Sequence, residues 1–339
     1  MRRRKTGGPM VILPRRRFLQ LAAGAAVLPA VARIAVAQSY PSRPIKLVIP
    51  FPPGGVNDAI GRPWADRMKT LLGTVVIENI GGAGGSLGVA GVARAQPDGY
   101  TLVLANTGNM VVVPVAATRP LYDPIRDFEP IYRLGSGAGV FAVHPSLPTP
   151  TLNALVDYAK SNGNKLSYGS PGLGTTNHLA GEMFKLLTET LDIVHIPYRG
   201  AGPLLSDLIG GQILFASMVM TGQVLDLHRS DKLRMLAVTS PARVRGAPDF
   251  PTAIEAGFPG LTMPSLFGLF APKGTPPSIV EQVAKATRTF MADRDLQQLY
   301  VVSGFEPDLD SSPKALREAV VEASARLTPI IKGIGLKLD

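Results

Sequence analysis

Four short runs rich in glycine and threonine each precede a segment with a helical pattern. The runs are Gly54 and Gly55, then Gly84, Gly85 and Ser86, then residues 172–176, and finally residues 200–202. A helix N-terminus carries unpaired N–H groups and a partial positive charge, so it holds an anion without lysine or arginine. Four such ends facing one cleft would chelate a small carboxylate. The alternative is that these glycines only form tight turns and allow close packing.

Two polar residues, Asn57 and Asp58, follow the first run and open its helical pattern. A carboxylate beside a carboxylate site would repel the ligand, so Asp58 needs another role. One of the two side chains is expected to cap the helix by accepting N–H bonds from its first turn. The other role left open is that Asp58 receives an amino or hydroxyl group of the ligand.

Catalytic and metal-binding patterns are missing or incomplete. The histidines are His144, His178, His195 and His228. None of them pairs with another at a metal-binding helical spacing, so we expect no metal. Ser170 lies in the segment YGSPG, but Tyr168 occupies the first glycine position of the Gly-x-Ser-x-Gly pattern. An exported hydrolase that uses Ser170 with His195 or His228 is therefore an alternative rather than the expected function.

The glycine-rich segment GGAGGSLG also fails the dinucleotide-binding pattern in both possible registers, and no Walker lysine follows any glycine run. The chain has no cysteine, which excludes disulfides, thiolate metal sites and cysteine nucleophiles. We expect no cofactor.

The elements that position these loops alternate between strand and helix, which predicts an α/β architecture. IKLVIPF, TVVIENI and YTLVLANTG read as strands, and each ends in a loop rich in glycine or threonine. Ligands bind at this carboxyl edge in open α/β sheets. A second strand–loop–helix series begins near GVFAVHP, and LFGLFAP returns to the first. The sequence therefore predicts two lobes joined by crossing strands.

The net charge of +10 is concentrated at the N-terminus, where residues 1–37 contain eight basic residues and no acid. The remainder is close to neutral, which argues against a nucleic-acid partner. RRRFLQL followed by a modest apolar stretch and Ala35, Val36 and Ala37 is typical of a twin-arginine signal peptide, with a membrane anchor as the alternative. We expect a periplasmic protein that starts at Met1 or Met10.

Six ordered segments together resemble a known family over the chain from about residue 40 to the C-terminus. They are YPSRPIKLVIPFPPGGVNDAIGR, GGAGGSLGVAGVARAQPDGYTL, LSYGSPGLGTTNHLAGEMFK, IVHIPYRGAGPLLSDLIGGQ, LRMLAVTS and FGLFAPKGTP. The chain resembles the Bug-type, TctC-like substrate-binding proteins of tripartite tricarboxylate transporters. The resemblance implies a type II periplasmic-binding-protein fold, with mostly parallel sheets, and a monomeric receptor that delivers a small organic acid to a two-subunit membrane transporter. A solute sensor of the same fold is a further alternative.

The resemblance also implies domain bounds and ligand-binding residues. The bounds are residues 1–37 for the signal, 40–142 plus 265–339 for lobe 1, and 143–264 for lobe 2. The first lobe would contribute Phe51, Gly54, Gly55, Asn57, Asp58, Gly84, Gly85, Ser86 and Thr107. The second would contribute Ser170, Gly174, Thr175, Thr176, His178 and Tyr198.

Two departures from the family pattern bear on the ligand. Many relatives have Phe-Asp-Asn where this chain has Ser217, Met218 and Val219, and many have tryptophan where it has Leu266. Met218 and Leu266 are therefore added to the expected ligand-binding residues. Both changes predict a less polar cleft wall, and hence a ligand with an apolar or aromatic body rather than citrate.

Overall fold

The computed structural model describes residues 40–162 and 165–338. The expected signal peptide, residues 1–37, lies outside the described residues. Among those described, no helix combines the length and apolar character that crossing a membrane requires.

The described chain forms strands and helices in an alternating order. The strands are β1 (Ile45–Ile49), β2 (Val75–Asn79), β3 (Thr101–Asn106), β4 (Phe128–Gly137), β5 (Gly139–Val143), β6 (Ser167–Ser170), β7 (Val194–Pro197), β8 (Phe215–Val219), β9 (Arg234–Val238), β10 (Ser265–Pro272) and β11 (Phe305–Pro307). The α-helices are α1 (Val56–Leu71), α2 (Ser86–Ala93), α3 (Val113–Ala116), α4 (Leu152–Asn162), α5 (Thr176–Leu187), α6 (Ala201–Ile209), α7 (Gly222–Arg229), α8 (Pro277–Met291), α9 (Arg294–Val302) and α10 (Pro313–Gly333).

Two sheets organise these elements, and each is the centre of one lobe. The first sheet has the order β11-β4-β10-β3-β1-β2, and the second has the order β7-β6-β8-β5-β9. The predicted two-lobed α/β fold is therefore confirmed. Each sheet is more mixed than expected. Strand β1 pairs in parallel with β2 and β3, and β6 pairs in parallel with β7 and β8, whereas β10 is antiparallel to both β3 and β4.

The chain passes between the sheets at two places. Strand β4 of the first sheet ends at Gly137, and β5 of the second begins at Gly139 after the single residue Ala138. The chain returns before Ser265, the first residue of β10. These passages lie beside the carboxyl ends of the parallel strands, so the connecting loops of both lobes face one another there.

The helix starts follow local sequence signals. Thr151 accepts a hydrogen bond from the Ala154 N–H at 3.1 Å, as expected for the N-cap of α4. Thr175 caps α5 in the same way by accepting from the His178 N–H. The helix start expected after residues 172–176 is confirmed, and in both helices the capping threonine follows a glycine or a proline.

Helix α10 belongs to both lobes. Near its N-terminus, Leu316 and Val320 pack in a core cluster of the first lobe with Val103. Near its C-terminus, Leu327 and Ile331 join a cluster that contains Phe141 of the second sheet. The two lobes therefore share one covering helix besides the two passages of the main chain.

Candidate functional site

A cavity of about 90 Å³ lies between the lobes, and we call it the inner cleft. The first sheet and its loops contribute Phe51, Pro52, Pro53, Gly55, Val56, Asn57, Asn106 and Ser265. The second contributes Pro171, Thr175, Thr176, Asn177, Arg199, Gly200, Ala201, Gly202, Pro203, Val219 and Thr221. The inner cleft is thus built from both lobes.

Four helix N-termini meet at the inner cleft. The N-cap residues of α1, α5, α6 and α7 are Gly55, Thr175, Gly200 and Thr221, and all four line it. Their partial positive charges therefore add in one place. Because first-turn N–H groups have no partner within the helix, this arrangement favours a bound anion.

Two of these helix ends have no side-chain cap. Thr175 and Thr221 each accept a first-turn N–H through the side chain, whereas Gly55 and Gly200 have no side-chain oxygen to do so. The first-turn donors of α1 and α6 are consequently the ones most available to a ligand. Helix α1 comes from the first lobe and α6 from the second, so a single anion can be held from both sides.

The charge of the lining also favours an anion. Among the described residues that line the inner cleft, Arg199 alone has a charged side chain and none is a carboxylate. No described residue forms an ion pair with the Arg199 guanidinium. An acid in the cleft would therefore meet an unneutralised cation.

Asn57 and Asn106 connect the first loop to the sheet beneath it. The Asn57 side-chain amide donates to the Leu104 carbonyl at 2.8 Å, and its oxygen accepts from the Asn106 amide at 3.1 Å. The Asn106 oxygen in turn accepts from the Gly108 N–H at 2.9 Å. These bonds fix the N-terminus of α1 against β3, so its first-turn N–H groups are held in place at the cleft.

A second cavity, of about 610 Å³, continues from the inner cleft, and we call it the outer cleft. Phe51, Pro52, Pro171, Arg199 and Gly200 line both compartments. The outer cleft adds Gly81, Gly82, Ala83, Gly84, Gly85, Gly172, Leu173, Pro197 and Tyr198. It offers more space than the inner cleft and also lacks a carboxylate in its lining.

The aromatic ring of Tyr198 borders the outer cleft, but its hydroxyl is already engaged. It donates to Asp207 Oδ2 at 2.8 Å. Partial burial, with this bond to a carboxylate, raises the pKa of Tyr198 to about 12. Tyr198 therefore contributes mainly an apolar surface to the outer cleft.

Asp58 neither caps α1 nor lines either compartment. Its carboxylate contacts Arg62 at 2.6 and 2.9 Å, the Gly54 N–H at 3.1 Å and the Asn79 amide at 3.1 Å. Burial alone would raise the pKa of Asp58, but these bonds outweigh it and hold the pKa below its ordinary value. The expectation that Asn57 or Asp58 caps α1 is therefore wrong. Asp58 instead fastens the loop before α1 to strand β2.

The predicted ligand-binding residues fall into three groups. Those that line the inner cleft are Phe51, Gly55, Asn57, Thr175 and Thr176. Those that line only the outer cleft are Gly84, Gly85 and Tyr198. Those that line neither compartment are Gly54, Asp58, Ser86, Thr107, Ser170, Gly174, His178, Met218 and Leu266. The residues of the third group are close in sequence to residues that line the cleft, but they do not line it themselves.

For Thr107, Leu266 and Met218, the structure shows why the side chain does not line the cleft. Thr107 Oγ1 accepts the Leu266 N–H at 2.9 Å, which ties the residue after β3 to the start of β10, and both residues line a different cavity. Met218 is buried in the second-lobe core because side chains alternate along β8. Val219, its neighbour, is the residue of that strand that faces the inner cleft.

Ser170 and His195 do meet, as the hydrolase alternative requires. Ser170 Oγ lies 2.8 Å from His195 Nε2. The Ser170 side chain is nevertheless fully buried, and neither residue lines either compartment of the cleft. A substrate carbonyl has no route to this oxygen, so the pair is a structural hydrogen bond.

His178, Glu182 and His195 form a polar cluster that the sequence did not reveal. Their nearest donor atoms lie within 4.8 Å of one another, which is a metal-like arrangement. The Gly174 N–H donates to His178 Nδ1 at 3.1 Å, so the proton of this neutral ring is on Nε2 and neither nitrogen has a free lone pair for a metal. The Lys185 ammonium also contacts both Glu182 oxygens, at 3.0 and 3.2 Å. These contacts favour a structural network over a cation site.

Several cleft residues were missed by the sequence reasoning. They are Pro52, Pro53, Val56, Asn106, Pro171, Asn177, Arg199, Gly200, Ala201, Gly202, Pro203, Val219, Thr221 and Ser265. Residues 200–202 were expected to face the cleft as one of the four runs, but they were not named among the ligand-binding residues. Thr221 had a readable signal, because a threonine before Gly222 and an amphipathic segment is typical of a helix start.

Comparisons with known proteins agree with this geometry. The profile of the family described as "TctC: Tripartite tricarboxylate transporter family receptor" matches residues 60–336. Among curated proteins, the chain is 32% identical to Protein BugT of Bordetella pertussis over 304 residues, which is 89% of this chain and 92% of BugT.

Solved structures give the same result. The periplasmic binding protein BugD superposes with a TM-score of 0.83 at 34% identity, covering 88% of this chain and 99% of BugD. A Rhodopseudomonas palustris protein, Rpa4515, with adipate superposes with a TM-score of 0.83 at 31% identity, covering 88% of this chain and 99% of that protein. BugD is described as a periplasmic binding protein, and the matching family profile as that of a transporter receptor. The chain belongs to the TctC family of tripartite tricarboxylate transporter receptors, and it is a periplasmic solute-binding receptor of the Bug type.

Proposed function

We propose that this receptor binds a small carboxylate in the inner cleft and delivers it to a two-subunit membrane transporter. The observation that carries the proposal is the meeting of four helix N-termini at one cavity that contains Arg199 and no acid. The helix N-termini and the Arg199 guanidinium would all stabilise the negative charge of a bound anion. The adipate bound in Rpa4515 is consistent with a carboxylate ligand.

The lining supports a ligand with an apolar or aromatic body. Much of the inner cleft is apolar, through Phe51, Pro52, Pro53, Val56, Pro171, Ala201, Pro203 and Val219. Of the three residues that replace the polar family segment, Val219 carries this effect, since Met218 is in the core. The outer cleft gives such a body room beyond the inner cavity.

Binding would act by closing the two lobes. A carboxylate held by α1 of the first lobe and α6 of the second is contacted twice in a closed molecule and once in an open one, so binding drives closure. The lobe bounds remain a proposal: we keep the second at Ser265 and move the first from residue 142 to Ala138, because β5 pairs within the second sheet. Export to the periplasm with loss of residues 1–37, and action as a monomer, are further parts of the proposal.

A thermal-shift panel of aliphatic and aromatic mono-, di- and tricarboxylates tests the binding. A ligand present at 100 times its dissociation constant adds about 2.7 kcal/mol to the free energy of unfolding, which moves a melting curve visibly. The panel must use protein freed of co-purified ligand by partial unfolding and refolding. A melting curve that no acid shifts would contradict the carboxylate proposal, and a competition won by citrate over aromatic acids would contradict the apolar body.

A further inference from the structure

The two lobes touch directly at the edge of the outer cleft. Gly84 lies in the turn Ala83–Gly85 that follows β2 of the first lobe, and Leu173 lies in the loop that follows β6 of the second. A Cβ placed on Gly84 would lie 2.3 Å from the Leu173 carbonyl oxygen. No side chain larger than hydrogen fits between these two backbones as they stand.

The loop that carries Leu173 has little freedom to yield. Thr175 Oγ1 donates to the Gly172 carbonyl at 2.8 Å, and the Gly174 N–H donates to His178 Nδ1 at 3.1 Å. These bonds flank Leu173 on both sides and tie its loop to the start of α5. The Leu173 carbonyl oxygen is part of the backbone, so it cannot rotate away as a side-chain atom would.

The turn that carries Gly84 is fixed as well. The Gly85 N–H donates to the Gly82 carbonyl at 2.9 Å, and the Asn109 side-chain amide donates to the Gly84 carbonyl at 3.3 Å. Asn109 is itself buried completely. A group inserted between Gly84 and Leu173 would therefore push the lobes apart rather than move one loop.

We propose that Gly84 and Leu173 form a closure contact, and that the missing side chain at Gly84 determines how fully the cleft shuts and how long a ligand stays. This inference rests on the proposed carboxylate-binding function. Gly84 would control ligand retention through the position of the lobes and would not need to contact the ligand. Gly84 is thus a positioning residue.

The test compares Gly84→Ala with Gly335→Ala. Gly84 has φ +65° and Gly335 has φ +67°, so alanine suffers the same backbone strain at both positions. A Cβ at Gly335 meets no atom within 4 Å, so only G84A adds an obstruction between the lobes. We expect G84A to raise the dissociation constant for the acid selected by the thermal-shift panel by about tenfold or more relative to G335A, mainly through faster release.

A second measurement reports lobe separation. The chain has no native cysteine, so Asp66→Cys on α1 and Asp226→Cys on α7 give two unique sites for spin labels. Both side chains are about three-quarters exposed, at 75% and 76%. With saturating acid, the label distance in G84A is expected to exceed the distance in G335A. A binding pocket altered only locally would weaken binding without this increase.

The possible outcomes separate the two proposals. Equal affinity and equal label distance in G84A and G335A would overturn the closure contact while leaving carboxylate binding intact. If the unmodified protein and G335A bind no acid, the proposed function fails and this inference fails with it. If G84A does not fold, Gly84→Asn and Gly335→Asn replace the pair, because asparagine tolerates positive φ better than alanine and still carries a Cβ.

Discussion

The imidazoles of His178 and His195 stack in parallel, with ring centroids 4.0 Å apart and an angle of 14° between their planes. The two residues come from α5 and β7, and each supports the loop that leads into α5. His178 Nδ1 accepts a hydrogen bond from the Gly174 N–H, and His195 Nε2 is hydrogen-bonded to Ser170 Oγ. One wall of the cleft is therefore held by a stacked pair of neutral rings, of which His178 is buried and His195 half-buried.

The stability of the protein should fall below pH 6.5, because the unfolded chain then takes up protons at these two histidines that the folded protein does not bind. Burial lowers the pKa of His178 to about 4 and that of His195 to about 3, from 6.5 for a free side chain. Below pH 6.5 the unfolded chain binds these protons while the folded protein does not. The stabilisation is thus complete above pH 6.5 and is lost as pH falls toward 4, by up to about 1.4 kcal/mol per pH unit for each ring.

Urea unfolding between pH 4 and 8 measures this dependence. His195→Gln should flatten it, while His144→Gln, outside the stacked pair, serves as the matched control. An unchanged slope in H195Q would show that other groups cause the acid sensitivity.

Ser170→Ala should lower stability without abolishing binding. The change removes the hydroxyl that lies 2.8 Å from His195 Nε2, and the loss of one buried hydrogen bond costs about 1–2 kcal/mol. Ser161→Ala, on the exposed side of α4, is the control. The measurements are urea midpoints and titration with the selected acid. Turnover of an ester by the unmodified protein that disappears in S170A would favour the hydrolase alternative instead.

Arg199→Gln should weaken binding of an acid by about fivefold, because it removes the cation that borders both compartments. The remaining affinity comes from the helix N-termini. Salt screens an exposed cation, so the difference from the unmodified protein should shrink as ionic strength rises. Calorimetric titration at two salt concentrations measures both effects. Lys160→Gln on α4, which lines neither compartment, should change neither affinity nor its salt dependence.

Val219→Asn should change the ligand selectivity of the receptor without disrupting its fold. Val219 is the residue of β8 that faces the inner cleft, and an amide there adds a hydrogen-bonding group while removing apolar surface. We expect affinity for acids with aromatic bodies to fall several-fold and affinity for hydroxylated acids such as citrate to rise. A competition assay with both classes tests this. Val76→Asn on the surface of β2, 53% exposed, is the control, and equal selectivity in V219N and V76N would contradict the role of Val219.

The helix starts at the candidate site could be predicted from local sequence, because a helix N-terminus is a local structure, although most of the residues that line the inner cleft could not. Glycine or threonine at the end of a strand, followed by an amphipathic segment, correctly located the starts of α1, α5 and α6. The carboxyl edge of each sheet then placed Gly55, Thr175 and Thr176 at one cleft. That step needed only the general behaviour of parallel strands.

The direction in which each side chain points could not be predicted. Whether Asp58 faces a ligand depends on Arg62 and on Asn79, which reaches it from a strand 21 residues away in sequence. The proximity of His178 and His195 likewise depends on how α5 packs across the second sheet. Arg199 directly precedes the run of residues 200–202, but it was not predicted as a ligand-binding residue, because a single cation has no spacing pattern.

Helix α10 limits how this protein can be dissected. Leu327 and Ile331 complete the hydrophobic core around Phe141, although they follow the second lobe by more than sixty residues in sequence. A fragment that ended at Ser265 would leave that core open to water on one side. The second lobe should therefore resist expression as a separate module, and grafting it onto another receptor would require transplanting the end of the chain along with it.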